Sequence, residues 1–307
     1  MITNEAQLFG RVVTAMVTPF DKNLKIDYPA VEKLVEHLIK TGSTAIVVAG
    51  TTGESPTLEK DEKKELLKAV IDIAKKRVKI IMGTGTNDTM KSIKTTQQAE
   101  ELGADGALVV APYYNKPSQA GLMAHFGEIA KSTKMPIIMY NIPGRTGITI
   151  AAETIIDLSH KHKNIHAVKD STGNVDLAGD IAAQARTDFQ VYSGDDYLTL
   201  PFLSVGACGV VSVASHFVGL DITKMHLSFF AGAGKLDEAR SIHYHAMPLF
   251  KGLFAAPNPT CVKYGLSKLG ICGEHLRLPL VPLSDAQKKD MDALLAKYEL
   301  TKTLSLK

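Results

Sequence analysis

Cysteine is scarce in this sequence. Three residues in 307, Cys208, Cys261 and Cys272, are too few and odd in number for a disulfide framework. Their spacing fits no metal-ligand pattern either, so a reducing cytoplasm is the expected setting. Charge of one sign is also missing. The formal net charge is +3, and no basic run is interleaved with aromatics. Neither nucleic acid nor an anionic membrane is therefore expected as a partner. No apolar run is long enough to span a bilayer. Met1 to Gly10 carries no positive region followed by an apolar stretch, so no secretory leader is expected. Gly83-Thr84-Gly85 lacks the third glycine of a dinucleotide fingerprint, and no Walker loop occurs. His243 and His245 stand two apart with His226 elsewhere, which reads as scattered helix-face histidines rather than a metal site. No metal and no cofactor are expected.

Against those absences, 45% of the residues are hydrophobic, enough for a large core. The length suits one large α/β domain with an appendage, or two ordinary domains. Apolar, β-branched runs recur at Arg11 to Thr18, Ala45 to Ala49, Val78 to Met82 and Gly106 to Val110. They continue at Pro136 to Tyr140, Ile165 to Lys169, Phe189 to Ser193 and Gly209 to Val213. Helical patterns separate them. After Asp27, a cap residue, Val31, Leu34, Val35, Leu38 and Ile39 fall on one helix face. Further helices are expected over Leu58 to Lys76, up to Leu102, near Gly121 to Lys131, and over Ala151 to Lys161. Two more are expected over Asp176 to Ala185 and near Leu198 to Leu203.

Near-continuous apolar strands belong to parallel sheets covered on both faces. About eight such units predict a (β/α)8 barrel over residues 1–232. Glycines between helix and strand, at Gly42, Gly103 and Gly206, echo one another as helix-closing residues. A doubly wound sheet shows the same alternation, and periodicity alone does not separate the two. From about residue 233 to 307 the strands stop. Leu236 to Phe254, Lys263 to Leu269 and Asp285 to Leu300 read as a helical appendage.

The polar residues worth attention follow the strands. Lys169 ends the run Ile165-His166-Ala167-Val168, and Asp170 to Gly173 mark a turn offering caps for the next helix. Burying an ammonium is costly, and a desolvated neutral lysine attacks carbonyl carbon to give a Schiff base. The plainer reading is a strand-ending lysine that reaches water. Tyr140 ends the preceding strand, so its hydroxyl is placed to move the protons that imine formation requires. Thr51, Thr52, Tyr113, Tyr114, Arg145 and Gly194 to Asp196 follow other strands, at the rim where barrel active sites are built. Arg145 suits a carboxylate or phosphate. Asp195 and Asp196 occupy the usual phosphate place and repel that group, which favours a carboxylate substrate.

As a set, several motifs resemble the dihydrodipicolinate synthase family. They are Gly50-Thr51-Thr52-Gly53-Glu54, Pro112-Tyr113-Tyr114-Asn115, Tyr140-Asn141-Ile142-Pro143-Gly144-Arg145-Thr146, Val168-Lys169-Asp170 and Ser193-Gly194-Asp195-Asp196. The match runs in order along nearly the whole chain and includes Asn258-Pro259 and Lys263. The resemblance implies a lyase that condenses pyruvate with aspartate 4-semialdehyde on the route to diaminopimelate and lysine. By that resemblance Lys169 forms the imine, Tyr140 donates and accepts protons, and Thr51 links Tyr140 to Tyr114. Backbone groups around Thr51 and Thr52 hold the pyruvate carboxylate, Arg145 holds that of the semialdehyde, and Gly194 and Val211 line the pyruvate end through backbone groups. It further implies a homotetramer of two tight dimers, with Tyr114 supplied across the dimer interface.

One departure stands out. Where lysine-inhibited members use His or Glu to bind lysine, this chain has Lys60, Lys63 and Lys91. At ~5 Å and an effective dielectric near 20, each cation costs a cationic effector about 3 kcal/mol before screening. Weak or absent lysine inhibition is expected. Two rivals remain open: a sister lyase acting on N-acetylneuraminate or keto-deoxy-sugar acids, and a non-catalytic barrel that binds a keto acid.

Overall fold

Eight strands in sequence order form a closed barrel in the computed structural model, which describes residues 7–298. They are β1 Val12–Ala15, β2 Ala45–Val48, β3 Lys79–Gly83, β4 Gly106–Val110, β5 Ile137–Asn141, β6 Ile165–Asp170, β7 Gln190–Ser193 and β8 Gly209–Ser212. From β3 to β8 every neighbouring pair is parallel. This is the barrel expected from the apolar runs. The strands are buried almost throughout, as strands covered on both faces must be.

The helices are α1 Tyr28–Lys40, α2 Lys60–Ala74, α3 Thr89–Glu101, α4 Gln119–Lys131, α5 Pro143–Thr146 and α6 Ala152–Lys161. They continue as α7 Val175–Gln184, α8 Thr199–Ser204, α9 Ser215–Phe230, α10 Leu236–Gly252, α11 Thr260–Lys268 and α12 Asp285–Ala296. In α1, Asp27 accepts a hydrogen bond from Ala30 N, and Val31, Leu34, Val35 and Leu38 are buried, as the spacing predicts. Gly42, Gly103 and Gly206 all have positive φ, at 95°, 90° and 104°, and each follows a helix.

The structure departs from the sequence reading in three places. Eight βα units call for a helix after β8, but no apolar spacing marks one there; the structure has α9, sixteen residues long. Its buried residues include Ser215, His216, Ile222, Met225, His226 and Ser228, so no single apolar stripe marks it, and it kinks at Val218. The Pro-Gly-Arg-Thr segment, to which the sequence assigns no element, forms the one-turn helix α5, opened by Pro143 and closed by Gly147 at φ 75°. Asp170 belongs to β6, and the cap of α7 is Asn174, whose side chain accepts from Leu177 N. The last helix is α12; Leu300, its expected end, lies outside the described residues, as do Met1 to residue 6.

Internal contacts divide the described chain into two units. The first comprises residues 7–13 and 79–212, with β3 to β8 and α3 to α8. In it Val210 N donates to Arg11 O at 2.9 Å. Gly209 permits that approach, because a Cβ there would fall 2.3 Å from Arg11 O. The second comprises residues 14–78 and 213–298, with β2, α1, α2 and α9 to α12. In it α1 packs on α2 and α9, α9 on α10, and α12 on both α10 and α11. All three cysteines are free and buried. No helix among the described residues is long and apolar enough to cross a membrane.

Candidate active site

In the first unit, β5 and β6 pair so that Tyr140 is the register partner of Lys169, and Asn141 that of Asp170. Register partners in a parallel pair project to the same face, and the next pair to the other. Tyr140 and Lys169 therefore stand side by side. Lys169 is only 6% exposed. Its Nζ lies 4.0 Å from the centre of the Tyr140 ring, over the face rather than at the hydroxyl. Among the described residues, none hydrogen-bonds to that amine or forms a salt bridge with it. Such a nitrogen is positioned to add to a carbonyl carbon whenever it carries no proton.

One carboxyl group, Asp195, feels the charge of this amine, and two further buried carboxyls lie beside Asp195 in sequence or charge coupling. Burial pushes the Asp195 carboxyl above its ordinary range; the charge of Lys169 opposes this and that of Asp196 adds to it. Asp170, fully buried, is pushed up to about 6, chiefly by burial. Its bonds from Thr172 N and Oγ1, at 3.1 and 3.0 Å, oppose the shift, and Asp195 adds to it. Asp196 is buried and accepts from Ser212 Oγ. Gly194 lies against the Lys169 stem. A Cβ there would fall 1.9 Å from Ser171 Oγ and 3.1 Å from Lys169 Cε. A side chain at this position would crowd the lysine stem. Val211 is buried on β8.

The opposite face shapes the following loop. Asn141 Oδ1 accepts from Ile150 N at 2.9 Å, and its Nδ2 donates to Ile150 O at 3.0 Å. This double bond clamps the chain from 142 to 149 and so fixes α5, which carries Arg145. Arg145 itself is exposed, and among the described residues it has no ion-pair partner. Tyr114 is 90% exposed and held at φ 73°, a left-handed conformation uncommon for a tyrosine.

Thr51 and Thr52 belong to the second unit, in the turn that follows β2. Thr51 is half-buried, and its carbonyl accepts from Glu54 N at 3.0 Å. Thr52 is buried, and its Oγ1 accepts from Asn258 Nδ2 at 2.9 Å. Thr18 Oγ1 donates to Gly53 O at 2.7 Å. Glu54, itself at φ 54°, forms a fully buried ion pair with Lys263, Nζ to Oε1 at 2.5 Å. Lys263 Nζ also donates to His275 O at 2.8 Å and lies 4.0 Å from the centre of the Phe20 ring. Burial pushes this amine below its ordinary pKa, and Glu54 opposes that shift. Arg277 N donates to Glu54 Oε2 at 3.1 Å, while its guanidinium grips Glu62 through two bonds of 2.7 and 2.6 Å.

Three of these residues carry no role in the sequence reading: Asn141, Glu54 and Asn258. A signal existed for two of them. Asn141 is a lone amide ending the apolar run Pro136 to Tyr140, and Lys263 is a lone cation between Val262 and Tyr264, which demands a buried anion such as Glu54. Asn258 offers no comparable signal.

A model of the dihydrodipicolinate synthetase family matches residues 8–298. A 4-hydroxy-tetrahydrodipicolinate synthase of Heliobacterium modesticaldum is 50% identical over 292 residues, covering 95% of this chain and 96% of the relative. A solved dihydrodipicolinate synthase of Bacillus anthracis is 46% identical with a TM-score of 0.91, covering 94% of this chain and 98% of that one. A Cyanidioschyzon merolae enzyme solved with lysine bound is 44% identical with a TM-score of 0.93, covering 96% and 99%. Identity of this order across almost the whole of both chains, on an eight-stranded barrel, makes this chain a member of the dihydrodipicolinate synthetase family.

Proposed function

We propose that the chain is a lyase that acts as a 4-hydroxy-tetrahydrodipicolinate synthase, condensing pyruvate with L-aspartate 4-semialdehyde through a Schiff base on Lys169. The observation that carries this reading is the buried, unbonded amine of Lys169 over the Tyr140 ring. The neutral amine adds to the keto carbon of pyruvate, and the keto oxygen takes up a proton. Loss of water then breaks the carbon–oxygen bond and leaves the imine. Loss of a methyl proton gives the enamine, whose carbon attacks the aldehyde carbon of the second substrate while the aldehyde oxygen takes up a proton. The amino group of that substrate then adds to the imine carbon and displaces Lys169 as the free amine. Tyr140 donates and accepts the protons in these steps. Arg145, exposed and unpaired among the described residues, holds the carboxylate of the semialdehyde. Gly194 and Val211 line the pyruvate end. Thr51 relays protons, and backbone groups around Thr51 and Thr52 anchor the pyruvate carboxylate; these roles rest on the motif.

Tyr114 serves a second copy of the chain in this reading, and its exposure in the single chain supports that role. The assembly is then a tetramer built from two such dimers. Residues 1–232 form the catalytic barrel and 233–307 the helical extension. The reaction is placed in the cytoplasm, consistent with three buried, unpaired cysteines.

Borohydride reduction in the presence of pyruvate, followed by peptide mass mapping, tests the reading. A reduced pyruvyl adduct is expected on Lys169 and none on Lys263; an unmodified Lys169 overturns it. Turnover of N-acetylneuraminate or keto-deoxy-sugar acids in preference to aspartate semialdehyde would assign the chain to a sister lyase. Lysine regulation is a separate expectation. Lys60 and Lys91 are exposed and Lys63 is half-buried, its amine pushed down by burial with Glu59 opposing. Millimolar lysine is expected to leave steady-state rates nearly unchanged, and strong inhibition would remove the charge argument.

A further inference from the structure

We propose that Asn258 is a positioning residue for the keto acid: its amide orients the Thr52 hydroxyl so that the hydroxyl proton faces the substrate carboxylate. This rests on the reading of the Thr51-Thr52 turn as the carboxylate anchor, and adds the Thr52 hydroxyl to the backbone groups of that turn.

Thr52 has one proton to give and two lone pairs to offer. Asn258 Nδ2 occupies one lone pair at 2.9 Å, and an amide nitrogen accepts nothing in return. The Thr52 proton is therefore left for another acceptor, and the rotor that carries it is restrained. A free hydroxyl has to be ordered when substrate arrives; this one is ordered beforehand. Both groups are buried, so water competes little for either. Asn258 Oδ1 is buried as well and has no partner among the described residues, so the Thr52 bond is the amide's one side-chain tether there.

The surrounding turn is held with the same thoroughness. Glu54, two residues beyond Thr52, is kept in a left-handed conformation by its ion pair with Lys263 of α11 and by the bond from Arg277 N. Thr18 fixes the carbonyl of Gly53. Strained backbone of this kind persists only where its surroundings over-determine it. Asn258, Lys263 and Arg277 all follow the last strand. The helical extension thus has a task, which is to hold the threonine turn from outside the barrel sequence.

A double-mutant cycle tests this on the full-length protein. Asn258→Ala and Thr52→Val are each expected to raise the KM for pyruvate about tenfold, the size of one hydrogen bond. The KM for the semialdehyde should stay within about twofold, and the double variant should be no worse than Thr52→Val alone. Asn258→Asp keeps the volume but offers no N–H; it is expected to raise the pyruvate KM at least as far, and it substitutes in the cycle should the alanine variant fail to fold. An unchanged pyruvate KM in the Asn258 variants, or effects that simply add, overturns the proposal. Failure of the wild-type protein to form a pyruvate adduct on Lys169 would instead overturn the functional reading beneath it.

Discussion

Lys169 and Lys263 are both buried lysines, one in each unit, and their surroundings treat the amine in opposite ways. Lys263 is 0% exposed and saturated: a carboxylate, a carbonyl and an aromatic face all receive its charge. Lys169 lies over the Tyr140 ring with the Asp195 charge near it, and among the described residues it has no hydrogen-bond or ion-pair partner. A committed amine stabilises structure. An uncommitted one is kept available for a substrate. Burial alone does not distinguish a structural lysine from a reactive one; the count of partners does.

Removing each amine in turn should expose that contrast most sharply. Lys169→Ala is expected to lower turnover by at least about 10³-fold while the thermal midpoint stays within a few degrees. Retained turnover would mean that the wrong lysine has been assigned. Tyr140→Phe should follow, with a loss of about 10² to 10⁴ in turnover and an unchanged fold. A rate near wild type would take the proton transfers away from that phenol. Lys263→Met should do the reverse, since it strands Glu54 as a buried, unpaired carboxylate. A stability loss of about 3–5 kcal/mol is expected, largely restored by adding Glu54→Gln. Urea unfolding of the single and double variants would show whether the pair behaves in this way.

Acid provides a finer comparison. His216 in the second unit and His125 in the first are both pushed down to about 4 by burial. A histidine depressed in the folded state adds stability that is complete above its unfolded pKa of about 6.5 and lost as pH falls toward 4. Asp170, raised to about 6, works the other way. Its burial penalty is present above pH 6 and is relieved as pH falls toward its ordinary value. Each group is worth about 3 kcal/mol across its window. In the first unit the two effects nearly cancel, whereas His216 has no such counterweight. The thermal midpoint is expected to fall from pH 7 to pH 4, and His125→Gln should flatten that fall. A profile as steep as wild type would show that His125 is not held neutral.

Much of the site was legible because strands and chemistry are both local in sequence. Consecutive apolar runs ending in Tyr140 and Lys169 make the two residues neighbours on the sequence pattern alone. The cap Asp27 and its spaced apolar residues likewise marked α1. What escaped the reading was set by partners far along the chain. Asp170 continues β6 because Asn141 and Ser193 lie beside it in register, not because of its own turn preference. The α9 helix buries polar as well as apolar residues, so its period was hidden. The Asn258 contact with Thr52 joins residues 206 positions apart, and no local pattern announces it.

The amino-acid order by itself determined the eight strands and most of the helices between them, since alternation and capping depend on residues a few positions apart. It also placed the reactive groups at strand ends. Only the tertiary structure decided which buried lysine is satisfied and which is left open. That difference depends on where Glu54, His275 and Phe20 come to rest around one amine and not the other. Long-range packing sets the partners of a charge, and the partners set its chemistry.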